Sequence, residues 1–175
     1  MNSLIKNDSS NVKIALTNPK SPTNVGATMR AAGCYQASEI YYTGQRYKRA
    51  AKYNTDTNNA IAHIPLTWVE SACDISLEGA KLVCVELVEG AQPLPSFVHP
   101  EKAVYVFGAE DGTIEQSVID KAHHVVYIPT VGCMNLAATV NVVLYDRLAK
   151  STDYPCGDQL IKDSRDTNNK VKVKS

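Results

Sequence analysis

The chain has 175 residues, the span of one ordinary domain, which leaves no room for a catalytic module beside a large accessory one. Its 18 Lys and Arg balance 18 Asp and Glu, and a net charge of zero taken alone argues against a generic polyanion binder. The balance is uneven along the chain: eight basic residues face only Asp8 and Glu39 in residues 1–55, two face eleven acids in 56–120, and eight face five in 121–175. With 44% hydrophobic and 21% charged residues, the composition is that of a soluble globular domain, and disordered or collagen-like classes are excluded.

In chain order, residues 12–17 read as a buried strand, followed by a turn at Asn18-Pro19-Lys20-Ser21-Pro22 and a helix over 23–32 that Gly33 stops. Residues 39–43 are a second strand. The stretch 44–59 is polar and without a clean period, a long excursion of the kind that is more often functional than not. A helical pattern covers 66–73, strands cover 81–88 and 103–107, a helix 113–122, a strand 125–128, and the longest helical pattern 134–150. This alternation predicts an α/β fold with a mostly parallel sheet flanked by helices, filling residues 1–155, with 156–175 as a polar, basic tail carrying Lys170, Lys172 and Lys174.

No apolar run approaches the roughly 20 residues of a membrane span, and the polar residues 1–13 do not resemble a signal peptide, so a cytoplasmic protein is expected. The five cysteines are odd in number and lack a C-x-x-C pair, which argues against a zinc ribbon or a disulfide framework. Cys34, Cys73 and Cys84 are expected to be small buried hydrophobes. His123 and His124 have no matching ligand spacing, so no metal is expected.

Ligands of parallel α/β sheets sit beyond the carboxyl ends of strands, which directs attention to residues 18–24, 86–90, 108–112 and 129–135. In the first segment Asn24 stands at a helix mouth and Arg30 six residues further in. They either flank one cleft or are an N-cap and a surface Arg. In Phe107-Gly108-Ala109-Glu110-Asp111-Gly112 the glycines let a ligand approach the backbone and Glu110 offers a carboxylate, unless it only complements a helix N-terminus. Neither G-x-x-x-x-G-K-[ST] nor G-x-G-x-x-G is present, so nucleotide hydrolysis and dinucleotide binding of the usual kinds are unsupported. Residues 128–136, Ile-Pro-Thr-Val-Gly-Cys-Met-Asn-Leu, place Cys133 and Asn135 near the same crevice. Cys133 has no His near it in sequence, and packing or backbone contact is favoured over covalent chemistry.

The ordered trio N-x-G-x-x-x-R, strand-F-G-x-E-x-G and I-P-x-x-G-x-M-N-L, over residues 12–150, resembles the SpoU/TrmH family of SPOUT-class RNA methyltransferases. The resemblance implies an S-adenosylmethionine-dependent enzyme acting on tRNA or rRNA, mostly at a ribose 2′-hydroxyl. It also implies a homodimer and a fold whose C-terminal part forms a trefoil knot. By the same resemblance Arg30 matches the family's catalytic arginine, while Asn24, Glu110 and Asn135 match the residues that shape its site. Glu86, Leu87, Gly108, Glu110, Ile128, Cys133, Met134 and Leu136 match its cofactor-binding loops. The third motif departs from the family, which commonly has Ser where this chain has Cys133, and a thiol is the poorer hydrogen-bond partner. A non-catalytic RNA-binding protein that keeps the fold is the alternative.

RNA contacts are expected from Arg30, Arg46, Lys48, Arg49, Lys52 and Tyr47. Tyr41, Tyr42, Tyr47 and Tyr53 interleave there with basic residues, and no acid occurs between Glu39 and Asp56, a pattern suited to phosphate pairing and base stacking. The opposing reading is a solvated loop. With no added N-terminal RNA-binding domain expected, recognition falls to this domain, its dimer partner or another protein. The positive residues are expected to cluster around the cofactor cleft.

Overall fold

Seven short strands, rich in β-branched and aromatic residues, pair side by side in the computed structural model, which describes residues 11–51 and 64–173. They are β1 (Val12–Leu16), β2 (Glu39–Tyr42), β3 (Leu66–Trp68), β4 (Lys81–Val85), β5 (Gln92–Pro93), β6 (Ala103–Phe107) and β7 (His124–Tyr127). The helices are α1 (Pro22–Cys34), α2 (Arg46–Ala51), α3 (Gln116–Ile119), α4 (Leu136–Ala149) and α5 (Asp158–Ser164). Every strand pair is parallel, in the order β3-β2-β1-β6-β4-β7-β5, so the expected α/β architecture is the observed one.

Parallel sheets are covered on both faces, and the period of two in each central strand sorts side chains between them. Ile14, Leu16, Val83, Tyr105 and Phe107 point to one side, where Val25 and Met29 of α1 and Val140, Val143 and Leu144 of α4 complete the core. Ala15, Leu82, Cys84, Val104 and Val106 point to the other, beneath Ala72, Ile75, Ile114 and Val118. Helices α1 and α4 also pack on each other. This contact sets the start of α4 beside the start of α1.

The far end of α4 is clamped to residues 94–101. His99 bridges the Tyr105 hydroxyl (2.6 Å) and Asp146 (2.8 Å), Arg147 donates to the carbonyls of Pro100 and Glu101, and Lys150 donates to those of Leu94 and Phe97. Strand β7 lies between β4 and β5, although residues 86–91 join those two strands directly. The connection therefore arches over the end of β7, where the chain leaves for α4.

Several expectations are corrected. Residues 66–73 are not a helix: Leu66–Trp68 pairs with β2, Ile40 opposite Leu66 and Tyr42 opposite Trp68. A 3-10 turn at Ala72–Asp74 follows, closed by a Ser71–Asp74 capping box. Tertiary pairing overrides the local pattern there. The helix expected over 113–122 contracts to α3, because the backbone N–H of Ile114 is taken by Glu86. Gly33 does not stop α1, which runs one residue past it. The polar stretch 44–59 contains α2, and the tail contains α5, which buries nothing. Of the three cysteines expected inside, Cys84 is buried and burial pushes its thiol up to about 12, whereas Cys34 is exposed and Cys73 half-buried. Lys52, Tyr53 and Lys174 lie outside the described residues. Among the described residues no helix is long and apolar enough to cross a membrane, and no cluster of His, Cys, Asp or Glu is arranged to hold a metal ion.

Candidate active site

The carboxyl ends of β4, β6 and β7 open into an irregular cleft with about 700 Å³ of empty space, continuous with solvent. It is walled by the segments that follow those strands and by the first turn of α4. Glu86, Leu87, Gly108, Glu110, Ile128, Cys133, Met134 and Leu136 all line it. Phe107 and Thr130, from the motifs named above, line it as well, as do Tyr127 and Thr139, which the sequence did not single out. Ends of strands and the second turn of a helix carry no turn signal that would single them out.

Gly108 is required by its neighbour. A Cβ there would lie 2.6 Å from Glu86 Oε2, while the Glu86 carboxylate accepts the N–H of Leu87 (2.9 Å) and of Ile114 (3.0 Å). The two segments are thus tied together from inside, which no spacing rule reveals. Opposite them, residues 128–135 turn at Thr130, whose hydroxyl donates to the Gly132 carbonyl (3.0 Å), with Gly132 at φ +98°. Cys133 is exposed at the rim, and among the described residues none bonds its thiol.

One hydrogen-bonded chain joins the three sequence motifs at the cleft mouth. Asn135 caps α4 by accepting the N–H of Ala137 (2.9 Å) and Ala138 (3.2 Å), and its Nδ2 donates to Asn24 Oδ1 (2.9 Å). Asn24 Nδ2 donates in turn to Glu110 Oε1 (2.8 Å). The Glu110 carboxylate also accepts the N–H of Ser21 (3.0 Å) and of Lys20 (2.8 Å), just ahead of α1. Partial burial pushes its acidity one way, but the Asn24 amide and these backbone donors outweigh burial and hold the carboxyl below its usual range. Each amide has a fixed orientation in this chain, because its oxygen and nitrogen are both committed.

Next to Glu110, Asp111 holds Arg46 of α2 through two bonds of 2.7 and 2.9 Å, with Lys20 Nζ at 3.4 Å. Arg46 and Lys20 thus reach the cleft mouth. Lys48 and Arg49 are exposed on α2. Lys13, Arg147 and Lys150 are engaged elsewhere, and among the described residues no Lys or Arg lines the cleft itself, where Glu86 and Glu110 are the charged groups. Arg30 is exposed on α1, outside the lining of its own chain's cleft. Of the tyrosines in this region, Tyr41 is buried with its hydroxyl on Glu39 (2.6 Å), and burial together with that carboxylate pushes its phenol up to about 12. Tyr47 packs edge-on against Tyr42 at 5.2 Å and against the core.

The all-parallel α/β sheet thus carries a ligand-sized cleft made of three strand-end segments, locked by side chains from three separated motifs and lacking any phosphate-cradling glycine motif. Comparison with known proteins makes this specific. The model of the SpoU rRNA Methylase family matches residues 11–145, and the chain belongs to that family. Similar solved structures include the SpoU methyltransferase AviRb from Streptomyces viridochromogenes in complex with AdoMet, at 18% identity and TM-score 0.64, over 77% of this chain and 56% of that one. The TrmH/SpoU tRNA modifying enzyme of A. aeolicus matches at 16% and 0.64, over 79% and 74%. A protein described for 2-OH methylation of C/U34 on tRNA matches at 20% and 0.66, over 79% and 89%. The chain thus spans little more than half the length of AviRb. A search of curated proteins returns no significant match.

Proposed function

We propose that the protein transfers a methyl group from S-adenosylmethionine to a ribose 2′-hydroxyl of tRNA or rRNA. The observation that carries this reading is the Asn135–Asn24–Glu110 chain at the mouth of the cleft, which brings residues from all three motifs to one point. Family membership supplies the reaction class, and the similarity to the protein described for 2-OH methylation on tRNA, over nearly all of that shorter chain, supports the ribose target. The cleft suits the cofactor. Leu87, Ile128, Met134 and Leu136 offer apolar surface for an adenine, Gly108 lets a ligand lie against backbone, and Glu86 and Glu110 complement a positive charge. When bound, the cofactor supplies an electrophilic methyl carbon on a sulfonium.

The chain's own residues position and charge-balance. Glu110 and Asn24 fix the mouth where the acceptor ribose enters, and Asn135 fixes the start of α4 beneath it. Arg30 stabilises the developing alkoxide or binds the adjoining phosphate. Its position outside its own cleft supports a homodimer in which α1 of one copy completes the site of the other. The insertion of β7 under the 86–91 arch supports the trefoil knot. The catalytic unit is residues 1–155, with 156–175 as an appended tail.

Ribose methylation mapped across total RNA, with and without the protein, tests the activity and names the nucleotide. Arg30→Ala is expected to lose turnover while keeping cofactor affinity, and undiminished turnover removes Arg30 from the mechanism. Calorimetry that finds no S-adenosylmethionine binding moves the protein to the non-catalytic RNA-binding reading, which Cys133 motivates.

A further inference from the structure

Trp68 is the chain's single tryptophan and is 45% exposed, at the carboxyl end of edge strand β3. Its indole N–H donates to the Gly44 carbonyl at 3.0 Å, so the ring is held rather than free to turn. Gly44 itself has φ +70°, and a Cβ there would lie 2.2 Å from Asn18 Oδ1, so the backbone under the ring is tightly specified. Trp68 stands beside Tyr42 in register, and Tyr42 is braced by Tyr47.

The surroundings say what such a ring is for. Two residues beyond Gly44, Arg46 reaches Asp111, whose neighbour Glu110 lines the cleft, so a continuous bonded path leads from the indole to the site. In the sheet, β3 is three strands from β6, about 14 Å at the usual strand spacing, and both ends face the same way. Exposed Lys48 and Arg49 follow on α2. Among the described residues the other exposed large apolar side chains, such as Leu87, Val98 and Tyr145, belong to other elements, so Trp68 with its neighbour Tyr42 does not form part of a broad apolar patch. Docking of a protein face calls for a contiguous apolar patch. Stacking of a single base under flanking phosphates calls for this arrangement.

We propose that Trp68 is a stacking platform for an unpaired base of the RNA, near the nucleotide that enters the cleft, with Lys48 and Arg49 taking the adjoining phosphates. The proposal rests on the RNA methyltransferase reading and adds a binding residue to it.

Because no other tryptophan contributes, the emission of Trp68 reports the contact directly. The wild-type protein is titrated at low salt with short single-stranded oligoadenylate and with bulk tRNA. Saturable quenching is expected. Trp68→Ala should weaken binding by about tenfold to a hundredfold, and Trp68→Phe, which keeps a ring and loses the Gly44 bond, should weaken it less. S-adenosylmethionine affinity should be unchanged in both. Binding of neither RNA overturns the proposal, as does RNA binding without quenching, a Trp68→Ala variant that binds as wild type, or emission that responds only to protein concentration, which marks a contact between copies. Stacking without methyl transfer would leave the platform standing and defeat the enzymatic reading, whereas transfer undiminished in Trp68→Ala would do the reverse.

Discussion

Asn135 has two tasks that two substitutions separate. Asn135→Ala removes the cap on α4, which costs about 1 kcal/mol, and the bond to Asn24, worth about 1 kcal/mol more. At about 2–4 °C per kcal/mol for a domain of this size, the melting temperature should fall by about 4–8 °C. Asn135→Asp keeps an oxygen for the Ala137 and Ala138 N–H groups and places negative charge at a helix N-terminus, where it is favourable. It also sets a carboxylate oxygen against Asn24 Oδ1, acceptor against acceptor. Asn24 cannot turn its amide over to answer, because its Nδ2 is committed to Glu110. The Asp variant should therefore melt closer to wild type than the Ala variant, yet transfer methyl groups about tenfold more slowly, on the scale of one lost hydrogen bond at the cleft mouth. Scanning calorimetry and single-turnover transfer from labelled cofactor measure the two effects. An Ala variant that melts with wild type refutes the capping argument, and an Asp variant with wild-type turnover refutes the role of the chain.

Gly108→Ala should displace the Glu86 carboxylate from the N–H of Ile114 and raise the cofactor Kd by about tenfold to a hundredfold by calorimetry, and an unchanged Kd counts against the tie. Burial lowers the His99 pKa against the pull of Asp146, with Arg147 and Lys150 also lowering it. Because the unfolded chain takes up the proton first, this group costs stability as pH falls below about 6.5 toward the folded value. Tyr105, Asp146, Arg147 and Lys150 face it, and His99→Gln should flatten the acid side of the stability profile in that window; an identical slope would show that other groups set it. Cys133→Ser should leave transfer within about twofold of wild type, as an exposed side chain without a described partner predicts, and a change beyond tenfold would show that the thiol matters.

The central strands were readable because residues 12–16, 81–85 and 103–107 are apolar save for Lys13 and Lys81 and are bounded by polar turns, the mark of strands buried on both faces. The cleft-lining residues were readable because irregular segments after such strands are where an α/β sheet exposes backbone. Leu66–Trp68 was not, since a three-residue edge strand with one partner owes its conformation to β2 rather than to its own sequence. Neither was the linkage of Asp111 to Arg46 or of Glu86 to Ile114, which join residues 65 and 28 apart. Tyr41 alternates inward by strand period, whereas Trp68, which sat inside a stretch read as helix, has an exposed ring.

The placement of β7 between strands already joined by the 86–91 arch also dictates an order of events. The arch and β6 precede β7 in the chain, yet the cleft lacks its wall from residues 127–139 until β7 pairs between β4 and β5 and α4 packs on α1. Assembly should be slow, because its decisive contacts are distant in sequence and arrive last. A molecule bound between the arch and residues 128–135 would hold these two segments together, so occupancy should retard unfolding and protect the start of α4 in hydrogen exchange.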